Sequence, residues 1–157
     1  MIYYSFMILK ILTHPNNLLR KKSSAVSVDE ILNAKFQKFL VDLSETMMEL
    51  DGAGLAAPQT RNLKRAVVVR SEDGEVRTFI NPKITYKSLL KNILEEGCLS
   101  VPGIFAEVKR PKKIWVKYQD EKGVRRKERC GVYLSRVLQH EIDHLDGILF
   151  IDKLFKK

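Results

Sequence analysis

The run Gln139-His140-Glu141-Ile142-Asp143-His144-Leu145-Asp146-Gly147 carries two histidines four residues apart, with a glutamate directly after the first. On an α-helix, residues i and i+4 share one face, a turn apart. Two imidazoles so placed can grip one metal ion, and the adjacent carboxylate can reach a water beside it. A hydrogen-bonded surface pair fits the same spacing, and this pattern alone does not choose between the two. The helix itself is well marked. From Val132, the apolar residues Leu134, Val137, Leu138, Ile142 and Leu145 recur at helical spacing, and Gly147 supplies a C-terminal stop.

The rest of the chain must bring other groups to that helix. An apolar lead-in (Ile8 to Leu12) ends in a turn at His14-Pro15-Asn16-Asn17, where His14 reads as structural. Ser27-Val28-Asp29-Glu30 has the form of a capping box. Leu32, Phe36, Phe39, Leu40, Leu43, Met47 and Leu50 then keep a three-to-four spacing, which predicts one long N-terminal amphipathic helix. Asp51-Gly52-Ala53-Gly54-Leu55-Ala56-Ala57-Pro58-Gln59 follows. Its small residues suit a close backbone approach, to a ligand or to another part of the chain. It is neither a dinucleotide fingerprint nor a phosphate loop, because the required glycine and Gly-Lys-Ser/Thr are missing.

Strands are expected at Ala66–Val69, Val76–Ile80 and Ile84–Tyr86, with a turn at Asp73-Gly74 and a break at Asn81-Pro82. Glu95-Glu96-Gly97-Cys98-Leu99-Ser100 comes next, and Cys98 taken alone fits a buried thiol. Two further strands, Lys113–Tyr118 and Gly123–Cys130, precede the histidine helix. This order implies an α+β fold with antiparallel pairing.

With 157 residues the chain is read as one domain, 1–157, with Met1–Phe6 as a possible extension before Met7. No run approaches the ~18 apolar residues of a membrane helix. The apolar N-terminus lacks the basic start and cleavage site of a secretory signal. Two cysteines, Cys98 and Cys130, are too few for a disulfide scaffold, which fits a reducing compartment. The net charge of +9 speaks to association with nucleic acid, ribosomes or anionic surfaces rather than to chemistry. Much of it lies between Lys109 and Arg129, for which a solvated strand face is the plainer explanation.

Taken in order, Gly52-Ala53-Gly54-Leu55-Ala56-Ala57-Pro58-Gln59, Glu96-Gly97-Cys98-Leu99-Ser100 and His140-Glu141-Ile142-Asp143-His144 resemble the three signature motifs of the peptide deformylases. The likeness runs from about Ile8 to Asp152. It implies antiparallel sheets packed around a central helix that bears the two histidines. It also implies hydrolysis of the N-formyl group from nascent chains beginning with formyl-methionine, in a bacterial-type cytoplasm or an organelle that uses such chains. By the same resemblance, Cys98, His140 and His144 are the metal ligands and Glu141 the general acid/base. Gln59 and the Leu99 backbone N–H hold the developing oxyanion.

The chemistry is consistent with that assignment. Amide hydrolysis near neutral pH needs an activated water, a stabilised oxyanion and a proton for the leaving amine. Three protein ligands leave the open position of a catalytic centre, whereas a structural zinc site wants four. The resemblance implies ferrous iron, with nickel, cobalt or zinc as substitutes. The donor set alone suggests zinc, which is expected in aerobic preparations.

The substrate is expected to lie extended, pairing with Ala53 and Gly54 on one side and Gly97 on the other. Tyr133 and Val137 are the candidates for lining its methionine pocket. Glu96, Arg110 and Asp143 are expected to form a charge network behind the ligands. Phe105 stands where some family members have an arginine near the substrate. The sequence after Leu154 is too short for the long C-terminal helix of some relatives, so the Lys109–Arg129 face is a candidate for ribosome contact. No membrane partner and no sequence-specific DNA binding are expected. The competing readings are a zinc endopeptidase, which would want a further ligand downstream of His144, and a catalytically silent basic ribosome-binding module.

Overall fold

The strand Ala66–Arg70 runs through the middle of the core, and Ala66, Val67, Val68 and Val69 are fully buried. Ala66 and Val68 pack with Leu40, Leu43 and Met47 of one helix; Val67 and Val69 pack with Val137, Leu138 and Ile142 of another. That split follows from the two-residue side-chain period of a strand. A sheet covered by a helix on each face explains why this segment is an unbroken apolar run rather than an alternating one.

The computed structural model describes residues 5–156. Met1–Tyr4, most of the extension expected at Met1–Phe6, lie outside them. The helices are α1 (Val28–Ile31), α2 (Ala34–Glu49) and α3 (Val132–Leu145). The strands are β1 (Gly54–Ala56), β2 (Ala66–Arg70), β3 (Val76–Lys87), β4 (Lys91–Cys98), β5 (Val101–Pro111), β6 (Ile114–Gln119) and β7 (Arg125–Cys130). A five-stranded antiparallel sheet runs β1-β2-β3-β6-β7, and β4 and β5 form a separate antiparallel pair. Helix α3 packs against β1 and β2 on one side and reaches β5 on the other. The α+β class with antiparallel sheets around the histidine helix is therefore what the chain adopts.

The single long N-terminal helix is not. Ser27 caps α1 through the Glu30 N–H, but α1 stops after one turn. Asn33 adopts an extended conformation (φ −69°, ψ 133°), and its side chain accepts from the Lys35 N–H to start α2 afresh. A short polar side chain that offers the backbone an alternative bond is a cap and not a helix interior. Leu32, counted in the apolar stripe, is exposed.

Asn81-Pro82 also behaves differently from expectation. Asn81 takes a positive φ of 51° and the register shifts between Ile80 and Lys83, so a bulge bends one long strand instead of ending it. The Asn81 carboxamide binds back to both the N–H and the carbonyl of Val26. The stop at Gly147 is as expected. Its φ is 72°, and a Cβ there would lie 2.4 Å from the Arg20 carbonyl oxygen.

Candidate active site

Helix α3 presents His140 and His144 one turn apart, with ring centroids 5.1 Å from each other. Cys98, at the end of β4, meets them from the opposite side. Its Sγ lies 3.3 Å from His144 Nε2, and the three donor atoms fall within 4.8 Å of one another. Behind His140, its Nδ1 makes a 3.0 Å bond to Glu96 Oε2, which leaves Nε2 free to face inward.

Glu96 is itself tied down. Arg110 makes a bidentate pair with it at 2.6 and 3.0 Å, and Arg136 adds a 2.7 Å bond. The same Arg110 bonds Asp143 at 2.8 Å, and Lys153 holds the other oxygen of Asp143 at 2.9 Å. Burial alone would push Glu96 up, yet its bonds to His140 and Arg110 overrule burial and hold the carboxyl well below the usual carboxylate range.

These surroundings suit a cation. Burial works against a charged His140, but Cys98, Glu96 and Glu141 outweigh it and push the ring up to about 10. The environment that favours a proton there would favour a metal ion in its place. His144 is fully buried, which together with the charge of His140 drives it well below its ordinary value into the neutral form that can ligate. One thiol and two imidazoles, with inward-facing nitrogens and a carboxylate behind one of them, fit a divalent transition metal.

Glu141 and Gln59 stand beside the donor cluster. Glu141 is buried, its Oε2 has no hydrogen-bond partner among the described residues, and burial pushes its carboxyl up to about 7. Gly54 makes room for it: a Cβ there would lie 2.7 Å from Glu141 Oε1. Gln59 sits in a one-turn 3₁₀ helix (Ala57–Thr60) that follows β1. Its Oε1 accepts from the Ala56 N–H at 2.9 Å, which aims its amide NH₂ at Ser100 Oγ (3.0 Å) and Cys98 Sγ (3.6 Å).

A cavity of about 530 Å³ opens over these groups, between the Gly52–Gly54 stretch and the Gly97–Leu99 stretch. Ala53, Gly54, Gly97, Leu99 and Val137 line it together with His140 and Glu141. Tyr133 does not. It lies one turn before Val137 and is half-buried against the core. Phe105 lines the cavity, and its ring lies so close over Gly97 that a Cβ there would sit 2.5 Å from it.

Arg136 and Ser100 were not singled out in the sequence. Arg136 lies four residues before His140, on the same helix face, and that spacing was a usable signal. Ser100 ends the Glu96–Ser100 motif, but its bond to Gln59 joins residues 41 apart, which no local rule predicts.

A Cys/His/His cluster beside a buried carboxylate is the layout of a metal-dependent hydrolase. The family described as polypeptide deformylase matches residues 8–157. A peptide deformylase of Pseudothermotoga lettingae is 48% identical over 147 residues, covering 93% of this chain and 82% of that protein. The crystal structure of peptide deformylase from Thermotoga maritima superposes with a TM-score of 0.91 at 37% identity, covering 96% of this chain and 99% of the other. A Met-Ala-Ser-bound peptide deformylase from Acinetobacter baumannii gives a TM-score of 0.89 at 29% identity, covering 94% and 99%. The chain belongs to the polypeptide deformylase family.

Proposed function

We propose that this chain is a peptide deformylase that removes the N-formyl group from formyl-methionine at the start of nascent polypeptides, releasing formate. The observation that carries this reading is the Cys98, His140 and His144 donor cluster, set beside a cavity that Cys98, His140, Glu141 and Gln59 line together. Cys98, His140 and His144 would hold the metal, with ferrous iron as the working ion and zinc, nickel or cobalt as substitutes. When bound, that ion supplies Lewis acidity and brings the pKa of water down towards about 7.

The remaining steps belong to the chain's own groups. Glu141 takes a proton from the attacking water as a bond forms between water oxygen and the formyl carbon. It then passes that proton to the departing amine nitrogen as the C–N bond breaks. A carboxyl pushed up to about 7 is suited to both transfers. The Gln59 amide and the Leu99 N–H donate to the formyl oxygen as it gains charge, each donor being worth about 3 kcal/mol in such sites. Glu96, Arg110 and Asp143, with Arg136, fix the His140 ring from behind.

The substrate lies between two strand edges. β1 is an outer strand of the five-stranded sheet and, among the described residues, β4 pairs with β5 alone, so each has an edge available for strand addition. Ala53 and Gly54 would pair with one side of the peptide and Gly97 with the other, reading backbone rather than side chains. Val137 lines the pocket for the methionine side chain. The Met-Ala-Ser ligand of the Acinetobacter relative has the form of a deformylated product and supports a substrate of this class.

The reading extends to one domain over 1–157, to a compartment where formyl-methionine chains emerge, and to ribosome contact through a basic face. No helix among the described residues is long and apolar enough to cross a membrane. The test follows a formyl-methionyl peptide by mass spectrometry with iron- or nickel-loaded protein. Loss of the formyl group with the peptide otherwise intact is expected; cleavage of an internal bond would favour the endopeptidase reading.

A further inference from the structure

The basic stretch Lys109–Arg129 does not form a single face. Arg110 is buried against Glu96, Arg126 pairs with Asp120, and Lys109 stands over the Phe155 ring on another sheet. A more sharply defined surface lies on β3, β6 and β7. Ile114 and Val116 face the core, so Trp115, Lys117 and Gln119 face outward. Directly opposite them on β7 are Arg129, Lys127 and Arg125; on β3, Tyr86 stands opposite Trp115 and Lys83 opposite Lys117.

Lys83, Lys117 and Lys127 thus form a row of three ammonium groups across three adjacent strands. Like charges in that arrangement destabilise a sheet. Among the described residues, none of these three, nor Arg125 or Arg129, has a carboxylate within salt-bridge distance. Of the nearest acids in sequence, Glu128 faces inward to Arg77 and Asp120 holds Arg126, while the exposed Glu121 on the β6–β7 turn makes no ion pair with any of these cations.

Lysines on β7 could serve only to guard an edge strand. That role does not explain Lys117 on β6, which is paired on both sides, or Lys83 opposite it. The aromatic residues point further. Arg129 lies 4.6 Å and Lys127 5.2 Å from the Trp115 ring centroid, and Tyr86 packs 5.0 Å from the same ring. The indole therefore holds two cations in place, and Tyr86 remains exposed beside them. Arg125, Lys127 and Arg129 recur every second residue, about 6.8 Å apart, close to the phosphate repeat of an extended single strand. None of these outward strand positions is aliphatic; the exposed Leu89 and Leu90 lie on the turn beyond the end of β3.

We propose that this face binds a single-stranded segment of RNA. Phosphates would run along β7 and across the lysine row, with a base stacked on Tyr86 and the Arg129–Trp115 pair. The choice of RNA rests on the proposed reaction, which takes place where nascent chains are made, and it gives the ribosome-contact reading a defined surface and chemistry.

The test is fluorescence anisotropy of a labelled single-stranded oligouridine with the full chain, over a salt series. Wild-type binding that weakens with salt is expected. Lys117→Gln/Lys127→Gln should lower affinity at least about tenfold at low salt and flatten the log–log salt slope by about 1.4. Tyr86→Ala should cost about tenfold and leave the slope unchanged. Formate release from a short formyl-methionyl peptide, measured on the same samples, should be unaffected by all three substitutions. That readout separates failure of this proposal from failure of the deformylase reading. Three results would overturn the proposal: no wild-type binding, variants that bind like wild type, or binding confined to phosphatidylglycerol vesicles.

Discussion

Gly54→Ala introduces one methyl group next to the carboxylate on which the proposed chemistry depends. The new Cβ would sit 2.7 Å from Glu141 Oε1, 2.8 Å from its Cγ and 2.9 Å from its Cδ. Gly54 is a strand residue in register with Val69, and its φ is not positive, so alanine fits the backbone. Relief has to come from Glu141. Bringing Oε1 out to the 3.4 Å lower limit of ordinary contact requires a retreat of about 0.7 Å. Misplacing a reacting group by about 1 Å can cost about 10²-fold, so kcat should fall roughly 30- to 100-fold. Stability should hold or fall slightly, because the gain of up to about 1 kcal/mol from replacing a strand glycine is set against about 1–3 kcal/mol for crowding a buried side chain.

The assay is steady-state formate release together with a thermal melt. Truncation of Glu141 supplies the control. Glu141→Ala alone should be slow, and adding Gly54→Ala to it should cost little more, because the side chain then lacks the Cγ, Cδ and Oε1 that the methyl would meet. A near-wild-type kcat for Gly54→Ala would refute the reasoning. Additive losses in the double variant would show that the methyl acts on the substrate instead.

Two further substitutions test the support around the site. Arg110→Ala removes both bonds that pair with Glu96 and the one to Asp143, leaving a buried carboxylate with Arg136 and His140 alone. Metal affinity should drop about 10- to 100-fold, read by dialysis against a chelator; unchanged retention and activity would remove Arg110 from the account. Glu128→Gln tests the Arg77 pair, whose hydrogen bond holds the Glu128 carboxyl below its ordinary 4.5. A depressed folded-state value means that the pair stabilises the fold above pH 4.5 and loses that effect as pH falls through the folded value. The variant should be less stable by about 1 kcal/mol or less at pH 7, with the difference vanishing in acid. A gap that widened in acid would contradict the sign.

What the sequence made legible followed local rules. The α3 periodicity, the Gly147 stop and the i, i+4 histidines depend on residues within a turn or two of one another, and all three are present as expected. Where longer connections decided the outcome, the pattern misled. Leu32 and Phe36 kept helical spacing across Asn33, which hid a cap that only its side-chain bond reveals. The β4–β5 pair was unread because Ile93 and Leu94 stay exposed, so little alternation marks it. Tyr133 shared a helix face with Val137, but periodicity does not say how far along the helix a cavity extends. Glu96, Arg110 and Asp143 are expected together because metal-binding histidines need charged support behind them; Arg136 joins them from a helical spacing to His140 that is equally visible.

The measurement that bears most directly on the central claim compares wild type with Glu141→Gln, each loaded anaerobically with iron or nickel and each assayed for bound metal. Formate release from a formyl-methionyl tripeptide is then followed on both. The account expects about one metal per chain in each protein, with release at least about 10²-fold slower in the variant. Equal release at equal metal content would contradict the role given to Glu141. No release from metal-loaded wild type would contradict the proposed activity itself.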